Sequence, residues 1–223
     1  MTKIFINHFR KILYLYVFIG FNVSFAGSYE DFFKAIKMDD VATLQQLLAR
    51  GFDANTLDPD GQHPLLVAIR EPSLKAAQAL VNAQKIDLNR LNAIGESPLM
   101  MAALKGELDL ASEMVKKGAD VNKTGWTPLH YAATSGHVSV MKLLLENYAY
   151  IDAASPNGST PLMMASMYGS VQAVQLLLNE GADPMLKNQQ GLAALQFAER
   201  GSRLDSAELL VKTVRVKQST GRW

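Results

Sequence analysis

Three histidines follow residue 26 of this 223-residue chain, and they are the first candidates for acid–base or metal chemistry: His63, His130 and His137. An imidazole acts as a general base or a metal ligand only where further polar groups converge on it. No nucleophile and base pair, zinc-type ligand spacing or glycine-rich phosphate loop accompanies these histidines. We therefore expect no catalytic residue, and the sequence favours a protein that is not an enzyme.

Two other groups of residues could bind cations. Asp58 and Asp60 flank Pro59, but the glycine-containing pattern of a calcium loop is absent, which favours a solvated turn. Five methionines resemble a soft-metal cluster: Met100, Met101, Met163, Met164 and Met167. Most of them fall at helical positions that pack between neighbouring units, so we interpret them as core residues. We expect neither a metal site nor a cofactor.

A repeated phrase sets the positions of these residues. A glycine opens the phrase G-x-[S/T/H]-P-L at Gly61, Gly95, Gly125 and Gly158, and Gly191 keeps the step without the proline. The successive intervals are 34, 30, 33 and 33 residues. Recurrence at this spacing indicates an array of similar structural units.

The third unit carries the phrase Thr127-Pro128-Leu129-His130, followed by Ala132 and Ala133. A T-P-L-H core at a period of about 33 residues resembles the ankyrin family. The resemblance covers roughly residues 29–216 and implies an all-α repeat fold, an ankyrin solenoid of stacked helix-turn-helix units with short β-hairpin fingers. It also implies that His130 is a structural histidine that ties adjacent repeats by hydrogen bonds.

Proline and glycine predict where the first helix of each unit begins and ends. Proline fits the first helical turn, because its missing N–H would be unpaired there, and such prolines occur at Pro64, Pro98, Pro128 and Pro161. A glycine with a left-handed backbone is expected where the helix ends, at Gly106, Gly136 and Gly169. The first unit has Pro72 there, and we expect a different turn because proline disfavours a positive φ.

Two departures from the repeat pattern lie in the third unit. Tyr148 replaces the glycine that Gly118 and Gly181 supply after the second helix, which predicts a strained or remodelled turn. Six residues separate the closing Asn, or its equivalent, from the next opening glycine in four cases, but only three separate Asn122 from Gly125. We therefore predict a shortened finger and a notch beside Trp126.

The first 26 residues differ from the rest. Lys3, Arg10 and Lys11 precede an apolar stretch at 12–26, and no acidic residue occurs before Glu30, which is typical of a secretory signal peptide. An uncleaved anchor and a hydrophobic first helix are the alternatives. We predict a signal peptide at 1–26, a repeat domain at 27–216 and a polar tail at 217–223. Within the domain we place an N-terminal cap at 29–60, repeats at 61–94, 95–124, 125–157 and 158–190, and a C-terminal cap at 191–216.

Charge and cysteine content limit the classes of partner. Removal of the three basic residues before position 26 leaves 19 basic and 21 acidic residues, a net charge of −2. No basic stripe remains, so we expect no nucleic-acid partner and, after signal cleavage, no membrane span. The chain has no cysteine, so stacking alone must stabilise it. We expect a monomer in the periplasm or secreted.

The repeat register predicts which side chains face the concave groove. The two residues before each turn position are expected there: Arg70 and Glu71, Leu104 and Lys105, Thr134 and Ser135, and Met167 and Tyr168. A second exposed row is expected just after the opening glycines: Gln62, Glu96, Trp126, Ser159 and Leu192. Because Trp, Tyr and Met are enriched at interfaces, Trp126, Met167 and Tyr168 are the first candidates for partner-binding anchors. Trp126 has the alternative role of filling space beside the shortened finger.

These residues favour a binding protein over an enzyme. The leading hypothesis is a scaffold or adaptor of the bacterial envelope that holds a partner protein through its concave face and finger tips. The alternative is a secreted effector or immunity-type inhibitor of a specific enzyme, which would use the same surface. Residue types alone do not identify the partner.

Overall fold

The structure is a computed structural model that describes residues 27–220. The predicted signal peptide and residues 221–223 of the predicted tail lie outside this range. Within it the chain forms twelve α-helices and no regular β-strand. The first four helices are α1 (27–37), α2 (Val41–Ala49), α3 (Pro64–Arg70) and α4 (Leu74–Val81). The other eight are α5 (Pro98–Lys105), α6 (Leu108–Lys116), α7 (Pro128–Ser135), α8 (Val138–Glu146), α9 (Pro161–Met167), α10 (Val171–Asn179), α11 (Ala194–Arg200) and α12 (Leu204–Thr220).

The helices divide into two compact units, which end and begin at Ile86 and Asp87. The N-terminal unit contains α1 to α4. Phe32, Ile36 and Leu44 are fully buried in it, and the Phe32 ring stacks on Phe52 with ring centroids 4.4 Å apart. Helix α4 packs on both α2 and α3. These three residues, from the segment 29–60 that we predicted as an N-terminal cap, therefore belong to the core of this unit.

The C-terminal unit consists of two rows of helices. The first helices of each pair, α5, α7, α9 and α11, pack side by side in chain order, and the second helices, α6, α8, α10 and α12, do the same. Ala102, Ala133 and Ala165 are completely buried in the first row, while Leu144 and Leu177 are completely buried in the second. Small side chains let the first helices approach closely and leucines fill the space behind them. The predicted ankyrin solenoid is confirmed.

Proline determines the start of four first helices, as the sequence predicts. Helices α3, α5, α7 and α9 each begin at a proline. Two of the predicted turn glycines are left-handed, with φ of 78° at Gly106 and 72° at Gly136. Gly169 does not have a positive φ, so the prediction was wrong there. Glycine is needed at 169 for another reason, because an added Cβ would collide with the carbonyl oxygen of Ala133.

The turn at Pro72 also corrects the sequence interpretation. Pro72 has a φ of 26°, so it has the positive φ that we expected a proline to avoid. The N–H of Ser73 donates to the Ala68 carbonyl at 2.9 Å. In later repeats, the N–H groups of Glu107 and His137 make the equivalent hydrogen bond within their own turns. This shared hydrogen bond keeps the turn in the repeat's usual path, so the different turn that we expected here is not formed.

The connections between repeats are fingers closed by backbone hydrogen bonds. At the first finger the Gly61 N–H donates to the Asp58 carbonyl at 2.9 Å, and the Asp58 N–H donates to the Gln62 carbonyl at 3.0 Å. The same pair recurs at the fingers that end at Gly95, Gly158 and Gly191. Among the described residues, the finger ending at Gly125 lacks this pair. The predicted shortening of that finger is therefore present.

The last helix extends farther than the repeat pattern indicates. Helix α12 continues to Thr220 and so includes the first four residues of the segment that we predicted as a polar tail. It packs against α10 and α11 at the end of the C-terminal unit.

Candidate functional site

The candidate surface is a row of side chains at the C-terminal ends of the first helices. In the C-terminal unit, Leu104 and Lys105 end α5, Thr134 and Ser135 end α7, and Met167 ends α9. Because α5, α7 and α9 pack side by side, the repeat register places these pairs in one row. We call the six helix-end residues of this unit, together with Trp126, the groove set: Leu104, Lys105, Trp126, Thr134, Ser135, Met167 and Tyr168.

Two turn contacts fix the ends of these helices relative to one another. His137 Nε2 lies 3.1 Å from the Leu104 carbonyl, and its ring occupies the space that a Cβ on Gly106 would need. In the next repeat, a Cβ on Gly136 would approach the Ser170 backbone nitrogen to 3.0 Å. These close approaches make the row rigid, because the turns have little room to move.

The groove set offers a mixed apolar and polar surface. Tyr168 is 54% exposed, and Lys105 and Ser135 are also exposed. Leu104, Thr134 and Met167 are half-buried. The Thr134 hydroxyl donates to the His130 carbonyl at 2.8 Å, so one of its hydrogen bonds is already made within α7. Tyr168 therefore presents the largest accessible ring of this set.

The corresponding pair in the N-terminal unit is Arg70 and Glu71. Both side chains are exposed, with Arg70 as the last residue of α3 and Glu71 as its C-cap. Arg70 Nη1 donates to Gln62 Oε1 at 3.1 Å. Within the N-terminal unit, this hydrogen bond joins the predicted row of helix ends to the predicted row that follows the opening glycines.

Trp126 lies beside the shortened finger and is half-buried. Its ring meets the His130 ring edge-on, with centroids 5.2 Å apart and an interplanar angle of 78°. The Lys123 ammonium donates to the Trp126 carbonyl at 3.3 Å and to the Thr124 carbonyl at 3.2 Å. The ring thus covers the buried histidine on one side and reaches the surface on the other.

His130 has the structural role that the family resemblance implies. Its Nδ1 accepts from the Thr127 backbone N–H at 3.2 Å and lies 2.8 Å from the Thr127 hydroxyl. Nε2 then carries the proton and donates to the Ser159 carbonyl at 3.0 Å, in the next repeat. Burial lowers the pKa of His130 to about 4, against the weaker opposing effect of that carbonyl. The ring is neutral at pH 7 and has no free nitrogen for catalysis or a metal.

Methionine takes part of this role in the repeats on either side. The N–H of Ser97 donates to Met100 Sδ at 3.3 Å, and the N–H of Thr160 donates to Met163 Sδ at 3.3 Å. Both side chains are almost fully buried. The structure therefore supports the interpretation of these methionines as core residues that also cap a helix.

The second predicted row is less exposed than the sequence suggests. Ser159 is 1% exposed, so its placement on the surface was wrong. It is buried because its carbonyl accepts from His130 and its N–H donates to Ser155 Oγ at 3.0 Å. Glu96, Trp126 and Leu192 are half-buried.

A tyrosine–carboxylate pair was missed by sequence reasoning. The Tyr131 hydroxyl donates to Glu96 Oε1 at 3.1 Å, and Asn92 Nδ2 donates to Glu96 Oε2 at 2.8 Å. Burial, followed by the Glu96 charge, raises the pKa of Tyr131 to about 12. The pair joins α7 to the preceding finger. The spacing of 35 residues between Glu96 and Tyr131 does not predict this hydrogen bond.

Other candidate sites have ordinary structural roles. Asp58 Oδ1 accepts from the N–H groups of Asp60 at 3.0 Å and Gln62 at 2.7 Å, which is the hydrogen bonding of a tight turn. Across residues 27–220, no three histidine or acidic side chains gather as a metal site would require. No helix in the same range combines the length and apolar character needed to cross a membrane.

The fold and this row of helix ends define a repeat protein with a continuous side-chain surface. The family model for ankyrin repeats, in three copies, matches residues 32–123, 84–155 and 151–220. The chain therefore belongs to the ankyrin-repeat family.

One individual relative shows how far the similarity extends along the chain. Mouse protein phosphatase 1 regulatory subunit 27 is 34% identical over 93 residues, which is 40% of this chain and 60% of the relative. The chain thus matches about 60% of the length of that relative.

Two solved structures match nearly their whole length. The ankyrin repeat protein EF0377 is 27% identical with a TM-score of 0.72, covering 81% of this chain and 96% of its own. A chain in the structure of the predatory endopeptidase Bd0816 from Bdellovibrio bacteriovorus, in complex with immunity protein Bd3460, is 30% identical with a TM-score of 0.69. The match covers 82% of this chain and 97% of that one.

Proposed function

We propose that this protein is a scaffold or adaptor of the bacterial envelope that holds a partner protein against the groove set and the neighbouring finger tips. Ankyrin repeats are protein–protein interaction modules, and no catalytic family is indicated by the comparisons. The observation that carries the proposal is the rigid row of helix ends from α5 to α9, which presents Tyr168 and Met167 beside polar Lys105 and Ser135. An exposed aromatic among adaptable polar groups is typical of an interface anchor.

Rigidity supports binding by this surface. Its helix ends are fixed by the contact of His137 with Leu104 and by the close packing at Gly136 and Gly169. A surface that is already ordered loses little conformational entropy when a partner docks. The groove set therefore suits a partner of fixed shape, and we propose that the protein binds it as a monomer.

Localisation is part of the proposal. The basic residues before an apolar stretch at 12–26 support export, and the absence of cysteine is compatible with a fold that stacking alone stabilises. Cell fractionation and N-terminal sequencing of the mature protein test it. We expect the protein in the periplasm or medium with residues 1–26 removed, and a cytoplasmic protein with an intact N-terminus contradicts this expectation.

Affinity capture from the envelope fraction tests the groove. The variant Met167→Ala/Tyr168→Ala should lose the partner that the wild type retains. Leu108→Ala/Leu204→Ala is the matched control, because it removes two partly exposed leucines at the starts of the outer helices α6 and α12. Retention of the same partner by the groove variant, with unchanged melting, rejects the groove as its binding site.

A second function is favoured by one comparison. The likeness to a chain in the complex of Bd0816 with immunity protein Bd3460 extends over 97% of that chain. We propose as the alternative that this protein inhibits a specific enzyme, as a secreted effector or an immunity-type protein. If the captured partner is an enzyme, its activity should fall to zero at one equivalent of this protein under the inhibitor hypothesis. Full activity in the complex supports the scaffold.

A further inference from the structure

A pair of exposed tyrosines lies outside the groove set, in the turn after α8. Tyr148 is 86% exposed and Tyr150 is 69% exposed. We call these two residues the tyrosine edge. Two large rings so open to solvent, two positions apart, form a surface that the packing of the repeats does not explain.

The repeat register shows that both tyrosines replace residues better suited to the turn. Tyr148 has a φ of 64° at the position where Gly118 and Gly181 have 92° and 100°. A side chain is strained in this left-handed conformation, and glycine is not. Tyr150 stands where the next repeat has Asp183, whose Oδ1 accepts from the Met185 N–H at 2.8 Å. Both replacements give up a local stabilising feature and gain an exposed aromatic ring.

The backbone beneath the tyrosine edge is nevertheless firmly held. Asn122 Nδ2 donates to the Tyr148 carbonyl at 2.8 Å, and the Tyr150 N–H donates to Asn122 Oδ1 at 2.8 Å. The rings therefore project from a fixed base. Local strain retained in an ordered turn, together with exposed rings, is the combination found at binding surfaces.

Charges around the tyrosine edge indicate the chemistry of its partner. Glu146 lies two residues before Tyr148 and Asp152 two residues after Tyr150, while Asp120 and Asp183 take the position of Tyr150 in the two adjoining repeats, as their equivalent backbone hydrogen bonds show. Asp152 accepts from the Asp183 N–H. Two lysines of the preceding repeat are engaged elsewhere, because Lys117 pairs with Glu113 at 3.9 Å and Lys123 donates to carbonyls of the shortened finger.

From these observations we propose that the tyrosine edge is a second docking surface, which binds an arginine-bearing segment of a partner protein. Guanidinium groups stack on tyrosine faces and pair with carboxylates in a bidentate manner, so this edge complements them in both shape and charge. The surface is separate from the groove set and does not depend on the groove's role.

Defined peptides test this inference on the purified protein. The probe is the acetylated peptide Gly-Arg-Gly-Arg-Gly, and the comparison peptide has citrulline, which keeps the shape of arginine without its charge. In an NMR titration we expect the arginine peptide to bind about five-fold more tightly than the citrulline peptide and to shift the Tyr148 and Tyr150 signals. Equal affinities for the two peptides overturn the proposal.

Variants separate a binding role from a structural one. Tyr148→Gly/Tyr150→Ser should reduce binding of the arginine peptide to the citrulline level, while Tyr168→Ser, in the groove set, should leave it unchanged. Glycine at 148 relieves the strained backbone, so the double variant is expected to stay folded with a similar melting temperature. Undiminished binding by the double variant, or equal loss in Tyr168→Ser, rejects the tyrosine edge. Neither result bears on envelope capture through Met167 and Tyr168, which tests the groove independently.

Discussion

The side-chain amide of Asn122 donates to the carbonyl oxygen of Tyr148 at 2.8 Å, across 26 residues of chain. Equivalent asparagines repeat this link, from Asn55 to the Lys85 carbonyl at 2.9 Å and from Asn89 to the Gly118 carbonyl at 3.4 Å. At these three fingers an asparagine at the base thus connects the finger to the turn of the following repeat. At Tyr148 this connection holds a residue with an unfavourable φ in place.

Replacing Tyr148 with glycine should stabilise the protein. A non-glycine residue in the left-handed region costs about 1–2 kcal/mol, and part of the gain is lost because glycine makes the unfolded chain more flexible. We expect the free energy of unfolding to rise by about 1 kcal/mol and the melting temperature by about 2–4 °C. Tyr150→Gly is the matched control, because Tyr150 is similarly exposed but not left-handed, and it should lower the melting temperature. Equal effects of the two changes contradict the assignment of strain to Tyr148.

Protonation of His130 should destabilise the protein in acid. Its pKa is lowered from 6.5 to about 4 by burial, so the unfolded state binds a proton first as the pH falls. Its contribution to stability is therefore complete above pH 6.5 and is lost between pH 6.5 and 4, up to about 3 kcal/mol.

The variant His130→Met isolates this effect. Met100 and Met163 show that methionine can accept the N-cap hydrogen bond at the same repeat position. Urea unfolding of both proteins at several pH values should give a difference in free energy that shrinks as the pH falls from 6.5 to 4. Because acidic residues titrate in both proteins, their contribution cancels. If the difference in the free energy of unfolding does not change with pH, protonation of His130 does not destabilise the protein.

Repeat spacing predicted much of the fold and less of the surface. Pro98 and Gly106 mark the ends of α5 because their backbone limits act locally, and the same reasoning placed Met167 and Tyr168 at the end of α9. It failed at Gly169, where close packing against Ala133 of the preceding repeat requires the glycine, and at Pro72, where the turn keeps the hydrogen bond that the later repeats have.

Side-chain pairs between repeats were harder to predict. The bond between Tyr131 and Glu96 depends on the rotamers of two long side chains, which residue spacing does not determine. Ser159 was placed on the surface because it directly follows an opening glycine, as Trp126 does. Its burial follows from the hydrogen bond to His130, which also required knowledge of the packed repeats.

Completing the asparagine series should stabilise the contact between the third and fourth repeats. Asp152 takes the asparagine position at the end of the third repeat, and both its oxygens accept from the Asp183 N–H at 3.2 Å. An amide keeps one acceptor and adds a donor toward the Gly181 carbonyl, so Asp152→Asn should raise the free energy of unfolding by about 0.5–1.5 kcal/mol.

The midpoint of urea unfolding at pH 7 measures this gain. Asp183→Asn is the control, since its side chain accepts from the Met185 N–H and an amide oxygen preserves that bond. We expect the control to change the midpoint little. A gain of the same size in both variants indicates a general effect of charge removal and rejects the specific link to Gly181.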